Sequence, residues 1–331
     1  MINTELWFSA ILIIALALAI DAVIGEVPNR IHPLRWMGNV LAFLDRHIKR
    51  TTRRRTALKG FLSYVLVLLL FGGSAIAITA LTKHYLGEIA WIIVTAVMMK
   101  MVFAVFSFRK HCKPIVRDLR EGRIEEAAAK TQMIVSRNTK GMDAEHIASS
   151  CTESISENYA DSVVSPMLYF GLMGVSGGFL FRCANLMDAM WGYRNEKYGD
   201  LGFFPAKLDD VLGYVPARIC PVFVSIAAFL LRMNYRDVLV SAKRESVKTP
   251  SPNSGWPMGA FVGALGISME KKDIYVMGSG PMPTGEDIMR CCRLVELSSV
   301  VFLLLISMPL YAFLGIHIQV WMETILTGLI F

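Results

Sequence analysis

"YFGLMGVSGGF", residues 169–179, decides how this chain meets a bilayer. It lies in an apolar stretch, 163–181, of the length an α-helix needs to cross hydrocarbon, yet it carries four glycines. Gly174 and Gly178 form a GxxxG pair that lets helices pack closely. Irregular backbone survives at membrane depth only inside protein or along a cavity. The stretch reads either as a full span or as a re-entrant segment that returns to the side it left.

The rest of the chain shares this character. Of 331 residues, 54% are hydrophobic and 18% charged, and the mean hydropathy is +0.47. A soluble domain of this size carries more charge and shorter apolar runs. Further runs lie at 6–24, 60–82, 88–107, 213–231 and 294–315, with a weaker tail at 318–331. The fold class expected is all-α: a polytopic integral membrane protein of about five to seven apolar helices, some of them re-entrant. The run 213–231 is a second re-entrant candidate, because Pro216 and Pro221 interrupt it. The N-terminal run follows an acidic "MINTE" and has a weak cleavage site in "AIDAVIG", so it reads as a retained span rather than a signal peptide. A single membrane-embedded domain over 1–331 is expected.

Lys and Arg set the orientation. Residues 46–59 and 109–130 carry seven each and 232–248 carry five, whereas the turn "TKHYLGE" at 82–88 carries one. The basic loops are expected in the cytoplasm and the turn outside, at the cell membrane. The net charge of +7 then faces anionic lipid, and no nucleic-acid module is present. The six cysteines show no CxxC spacing and the six histidines no HExxH pattern, which leaves no zinc or redox signature.

Chemistry concentrates in a few stretches. In "AEHIASSCTESISENYADSVVSP", 144–166, Glu153, Glu157 and Asp161 recur every fourth residue and share one face of a helix. Like charges at that spacing repel, so the stripe calls for a divalent ion with phosphate oxygens or for a cluster of Arg and Lys; a solvated acidic face is the plain alternative. Asn158 lies beside it. Residues 185–218 repeat the pattern, with Asn185 and Asp188 on one helical face, then Tyr193, Arg194 and Asn195, then Lys207, Asp209, Asp210 and Arg218. Arg218, like Asp21 in the first span, belongs against a polar interior. Mixed acids and bases suit a site for metal and anionic substrate, and equally suit structural ion pairs. "IHPLRWMG", 31–38, and "SPNSGWPMG", 251–259, read as binding loops that present Arg35, Trp36, Asn253 and Trp256. "MGSGPMPTG", 277–285, lacks the GxxxxGK[ST] of a Walker A loop.

Together the stretches "DAVIGEVPNRIHPLRWMG" (21–38), "VSRNTKGMD" (135–143), "ESISENYADSVVSP" (153–166), "NLMDAMWGYRNEKYGDLGFFPAKLDDVLGYVPAR" (185–218) and "SPNSGWPMGAFVGALG" (251–266) resemble the adenosylcobinamide-phosphate synthase family of cobalamin biosynthesis, the membrane proteins called CobD or CbiB. The resemblance implies an ATP-dependent, ADP-forming amide ligation. Adenosylcobyric acid is joined to 1-aminopropan-2-ol phosphate, or to ethanolamine phosphate, with Mg²⁺ as cofactor. It implies lipid, the two substrates and other membrane enzymes of cobalamin assembly as partners, and no nucleic acid.

On this resemblance Glu153, Glu157, Asp161, Asp188, Lys207, Asp209 and Asp210 are the catalytic candidates, with Glu157, Asp161 and Asp188 as Mg²⁺ ligands. One carboxylate serves as the base that frees the amine. Arg194, Lys207 and Arg218, with Ser136, Arg137 and Thr139, are phosphate candidates. His32, Arg35, Trp36, Asn253 and Trp256 are candidates for the corrinoid, and Asn158, Asn185, Tyr193 and Asn195 complete the substrate set. Glu26, Asn138 and Met258 depart from the family pattern, and the last two each replace an expected carboxylate. The rival readings are a transporter or receptor for a corrinoid or another anion, to which Lys100 in an apolar run would be suited, and a non-catalytic sensor.

Overall fold

The computed structural model describes residues 4–25 and 28–330; Glu26 lies outside the described residues. The chain is helical almost throughout, with α1 (Thr4–Ile24), α2 (Pro33–His47), α3 (Arg53–Leu68), α4 (Ser74–Lys100), α5 (Ser107–Arg120), α6 (Ile124–Thr131), α7 (Ala144–Tyr159) and α8 (Ser165–Met173). There follow α9 (Val175–Trp191), α10 (Phe203–Leu212), α11 (Tyr214–Leu230), α12 (Val238–Glu245), α13 (Gly255–Leu265), α14 (Gly285–Phe302), α15 (Met308–Leu310) and α16 (Ile316–Ile330). One antiparallel hairpin, β1 (Met269–Lys271) and β2 (Tyr275–Met277), stands among them. This is an all-α integral membrane protein.

Four helical runs among the described residues are long and apolar enough to cross a membrane: Thr4–Ile24, Arg53–Lys100, Phe203–Leu230 and Gly285–Ile330. That is fewer than apolarity alone suggests, because two of the runs each join two expected spans. The 48-residue run Arg53–Lys100 is too long for one crossing at 1.5 Å per residue. It breaks at Gly87 (φ 82°, ψ −176°), a left-handed-side conformation open to glycine, inside the expected turn 82–88. Gly285–Ile330 likewise contains 294–315 and residues 318–330 of the expected tail, and relaxes through π-turns at Leu303–Ser307 and Tyr311–Gly315.

Contacts group the chain into two compact units: residues 1–104, 165–212 and 303–331 form the first, and 105–164 and 213–302 the second. In the first, α1 packs on α4, α4 on α16, and α9 on α2, α3, α4 and α10. The buried positions of α1, Ala10, Ile13, Ile14, Ala17 and Asp21, follow the helical period. Asp21, fully buried, meets Lys100 at 2.8 Å. Neither charge faces lipid, and Lys100 also donates to the Phe103 carbonyl at 3.3 Å.

The glycine-rich stretch is a helical hairpin. Gly174 (φ 64°, ψ −146°) is the turn between α8 and α9, whose stacked Tyr169 and Phe181 rings lie 5.8 Å apart. α8 follows α7 directly through the π-turn Ala160–Val164, and at Gly174 the chain reverses so that α9 packs back along α8. Gly174 is thus the turn rather than one half of a packing pair. The close approach inside the hairpin falls on Gly177, where a Cβ would stand 2.0 Å from the Tyr169 carbonyl oxygen. The turn is held by Gln319 of α16, whose Oε1 accepts from the Val175 N–H at 3.2 Å and from the Tyr311 hydroxyl at 3.1 Å.

The second unit is built on α13, buried along nearly its whole length. Gly259 and Gly263 bring it against α12: a Cβ at Gly259 would lie 2.9 Å from the Ala242 Cα, and one at Gly263 would lie 2.8 Å from the Asp237 carbonyl oxygen. The small-residue packing expected at 174–178 is therefore strongest here, in a GxxxG pair. α11 runs unbroken through both prolines. Pro216 occupies its first turn, where a missing N–H removes no helical bond.

Candidate functional site

In the second unit the acidic stripe of α7 meets a basic partner. Glu153, almost fully buried, takes an ion pair from Arg137 of the 135–143 turn and a second from Lys271 of β1 at 3.3 Å. The hairpin register sets Lys271 opposite Tyr275, and the Tyr275 ring lies beside the same carboxylate. Ser149 on α7 fixes the hairpin by accepting the Glu270 N–H at 2.8 Å and donating to the Glu270 carbonyl at 3.2 Å. Burial pushes the Glu157 carboxyl up from the ordinary glutamate range, and Glu153 beside it pushes the same way, against the pull of Lys271 and Arg137. Burial first, then the charge of Glu153, also raises the Tyr275 phenol. A largely buried carboxyl that holds its proton more tightly than usual thus stands beside two cations.

A π-turn begins at Ala160, so the angular step changes before Asp161. Asp161 lies close enough to Cys220 of α11 to act on its thiol. Asn158 spends its amide within its own helix, donating to the Ser154 carbonyl at 2.9 Å. Thr139 is buried and donates to the Ala128 carbonyl at 2.7 Å, whereas Ser136 is exposed.

A second group in this unit joins two motifs. Arg218 of α11 donates to the Asn253 Oδ1 at 2.8 Å and to the Pro252 carbonyl at 3.1 Å. Its guanidinium lies 3.5 Å from the Tyr214 ring centroid and 5.2 Å from that of Trp256. Arg, Asn and Trp form a polar and aromatic clamp of the kind that stacks on flat ligands.

The first unit gathers the remaining candidates. Asn185 on α9 donates to the Asp209 Oδ1 at 3.4 Å and accepts from Arg182 at 3.2 Å. Lys207 meets Asp210 at 3.2 Å. Asp188, Asp209 and Asp210 are close enough to repel one another. Gly192 is required where it stands, since a Cβ there would lie 2.6 Å from the Asp188 carbonyl oxygen as well as against its carboxylate. α2, which carries Arg35 and Trp36, packs on α9, and His32 caps it by accepting the Leu34 N–H at 3.2 Å. Trp36 donates to the Arg30 carbonyl at 3.0 Å and remains 47% exposed. Tyr193, Arg194 and Asn195 are exposed, and Asn195 stabilises its own turn by accepting the Tyr198 N–H at 2.9 Å. The Mg²⁺ candidates are divided, Asp188 in the first unit and Glu157 and Asp161 in the second. Among the described residues no three His, Cys, Asp or Glu side chains are grouped to hold a metal ion by themselves.

These groups lie on the stretches that carried the resemblance, and the profile of the family described as CobD/Cbib protein matches residues 14–295. The chain belongs to the CobD/Cbib family. A "Probable cobalamin biosynthesis protein CobD" of Methanothermobacter thermautotrophicus is 36% identical over 296 residues, 89% of this chain and 95% of the relative. One of Methanocaldococcus jannaschii is 33% identical, covering 90% of this chain and 97% of the relative. The "Cobalamin biosynthesis protein CobD" of Clostridium perfringens is 30% identical, over 79% and 83%. No solved structure matches.

Sequence reading of this CobD/Cbib chain missed Lys271, Tyr275 and Arg182. The only signal for the first was indirect, in that the stripe demanded a cation. Arg182 carried one, standing one helical turn before Asn185.

Proposed function

We propose that this protein acts in cobalamin biosynthesis as an ATP-dependent, ADP-forming amide ligase that joins adenosylcobyric acid to 1-aminopropan-2-ol phosphate, or to ethanolamine phosphate, giving adenosylcobinamide phosphate. We place the reaction at the cytoplasmic face of the cell membrane. The observation that carries the proposal is the Arg137–Glu153–Lys271–Glu157 cluster, and the family membership supports it.

A carboxylate is a poor acyl donor, so its oxygen first takes the γ-phosphoryl group of ATP, releasing ADP and giving an acyl phosphate. The amine then attacks the acyl carbon, phosphate departs, and an N–H proton must leave. The amine arrives as an ammonium that cannot attack, and Glu157, with its raised proton affinity, is matched to accept that proton. Arg137 and Lys271 hold Glu153 and bias the pocket toward anions, and Arg194, Lys207 and Arg218 are assigned to phosphate. Arg35, Trp36, Asn253 and Trp256 are assigned to the corrinoid, whose broad ring and amide arms suit stacking and hydrogen bonding.

Because no three carboxylates among the described residues are grouped to hold a metal alone, Mg²⁺ would be held by one or two of Asp188, Asp209 and Asp210, with substrate phosphates completing its oxygen shell. When bound, the ion neutralises phosphate charge. The transport reading loses support, because Lys100 is neutralised by Asp21.

The test is turnover of purified protein in liposomes with adenosylcobyric acid, aminopropanol phosphate, Mg²⁺ and ATP, the corrinoid followed by mass spectrometry. Adenosylcobinamide phosphate with equimolar ADP is expected, and Glu157→Gln lowers its rate by about 10²-fold or more. AMP in place of ADP would replace the acyl phosphate with adenylation. No product from a protein that still binds corrinoid would overturn the ligase.

A further inference from the structure

The second unit carries a basic cavity that none of the groups above uses. It holds about 580 Å³ between α5 and α14, within the range of small-ligand sites. Arg109, Lys113, Arg117 and Arg120 lie on one face of α5 at helical spacing, and Arg290 and Arg293 of α14 form the facing wall. Like charges three and four residues apart destabilise a helix, so this stripe raises the question the acidic one raised on α7.

The answer there was a protein partner, and here protein supplies only part of one. Arg109 is neutralised by a two-pronged ion pair with Glu296, which ties the two helices together at one end. Arg290 is neutralised by Asp287 at 2.8 Å. Among the described residues Lys113, Arg117, Arg120 and Arg293 have no acidic partner. Of the two acids that line the cavity, Glu121 is engaged by Arg123, leaving Glu286 against four cations. The C-terminal dipole of α5 favours Arg117 and Arg120 but does nothing for Lys113 or Arg293. A second depression of about 380 Å³ shares Arg120 and Glu286 and continues past Thr284 and Gly285 to Glu145, so the basic surface ends at Arg120 and is confined to the first cavity.

We propose that this cavity binds a phosphate-bearing polyanion carrying two or more negative charges, held by Lys113, Arg117, Arg120 and Arg293. Guanidinium forks from both walls match phosphate oxygens bidentately. Two sources present this chemistry, a soluble polyphosphate such as a nucleotide tail and the headgroup of an anionic lipid. The proposal stands apart from the ligase reading, because binding is read without turnover.

The probe for the soluble source is inorganic triphosphate, titrated calorimetrically into the full chain in neutral-lipid nanodiscs at fixed ionic strength. For the lipid source it is phosphatidylglycerol in mixed nanodiscs, with retained lipid counted by native mass spectrometry. Wild type is expected to bind one of the two saturably. Arg117→Gln with Arg120→Gln weakens that binding about tenfold or more, Arg293→Gln on the other wall weakens it independently, and Arg117→Lys with Arg120→Lys restores part of it. Triphosphate binding names a soluble polyphosphate, and phosphatidylglycerol retention without triphosphate binding names a headgroup. If neither probe distinguishes wild type from both Gln variants, with helical content unchanged, the proposal is wrong.

Discussion

Replacing Asp21 by Leu should destabilise this protein far more than replacing Asp21 and Lys100 together. The carboxylate and ammonium stand 2.8 Å apart with side chains 0% and 3% exposed. At an effective dielectric of about 20 their attraction is about 6 kcal/mol, most of it cancelled by the cost of taking both ions out of water. Removing one partner leaves the other buried and unpaired, a loss of about 3–5 kcal/mol. Replacing both with apolar groups of similar volume, Asp21→Leu with Lys100→Met, removes attraction and desolvation together and should come within about 1–2 kcal/mol of wild type.

For a chain of this size 1 kcal/mol moves the melting midpoint by about 2 °C, so each single variant should melt about 6–10 °C lower and the double variant within about 4 °C of wild type. Thermal unfolding in one detergent, followed by tryptophan fluorescence, measures all four proteins. A double variant as damaged as the two single losses added would show that the charges act separately, on a solute or a water path, and the neutral-pair argument would fail. Silent single variants would show that the pair is solvated.

Other outcomes follow from the two units. Because the folded-state carboxyl of Glu157 is raised, its contribution to stability is present at low pH and lost as pH rises through the folded value; Glu157→Gln should therefore melt higher than wild type at pH 8, with the gain gone below about pH 4. Glu245 shows the opposite sign. Its pull from Lys248, Arg244 and the Gly278 N–H outweighs burial, the largest single influence, and holds it low, so Glu245→Gln should lose about 1–3 kcal/mol at neutral pH, a loss that shrinks as acid protonates the native carboxylate. Gly192→Ala forces a methyl into the Asp188 carboxylate. It should reduce turnover at least tenfold if Asp188 helps hold Mg²⁺, with a raised Mg²⁺ requirement, and leave both unchanged if it does not.

The membrane character, most spans and the turn at 82–88 were legible because lipid imposes a length and a polarity that composition reports directly. The ambiguity at 163–181 was legible as an ambiguity, since glycine marks a break without saying whether helix or turn will occupy it; Gly174 settled it by adopting a positive φ. The prolines at 216 and 221 do not interrupt α11: Pro216 sits in its first turn, where its missing N–H is harmless, and the helix continues past Pro221. The helical spacing of the acidic stripe holds from Glu153 to Glu157, and before Asp161 a π-turn changes the angular step, which no residue in "YADSVV" announces. The partners of the stripe were invisible because Lys271 and Tyr275 arrive on a hairpin more than a hundred residues downstream.

Gln319 latches the hairpin turn at Val175, and Trp91 of α4 joins the same buried cluster through Glu323 at 3.0 Å. Both acceptors stand in the last helix, beyond the stretch 14–295 that the family profile covers. Synthesis proceeds from the N-terminus, so the 165–191 hairpin is made and delivered to the membrane long before its latch exists. During biogenesis its turn must wait with an open backbone donor, sheltered by lipid-inserted neighbours or by the insertion machinery. A nascent chain stalled short of residue 319 would hold every motif of the candidate site while lacking the peg that fastens the hairpin.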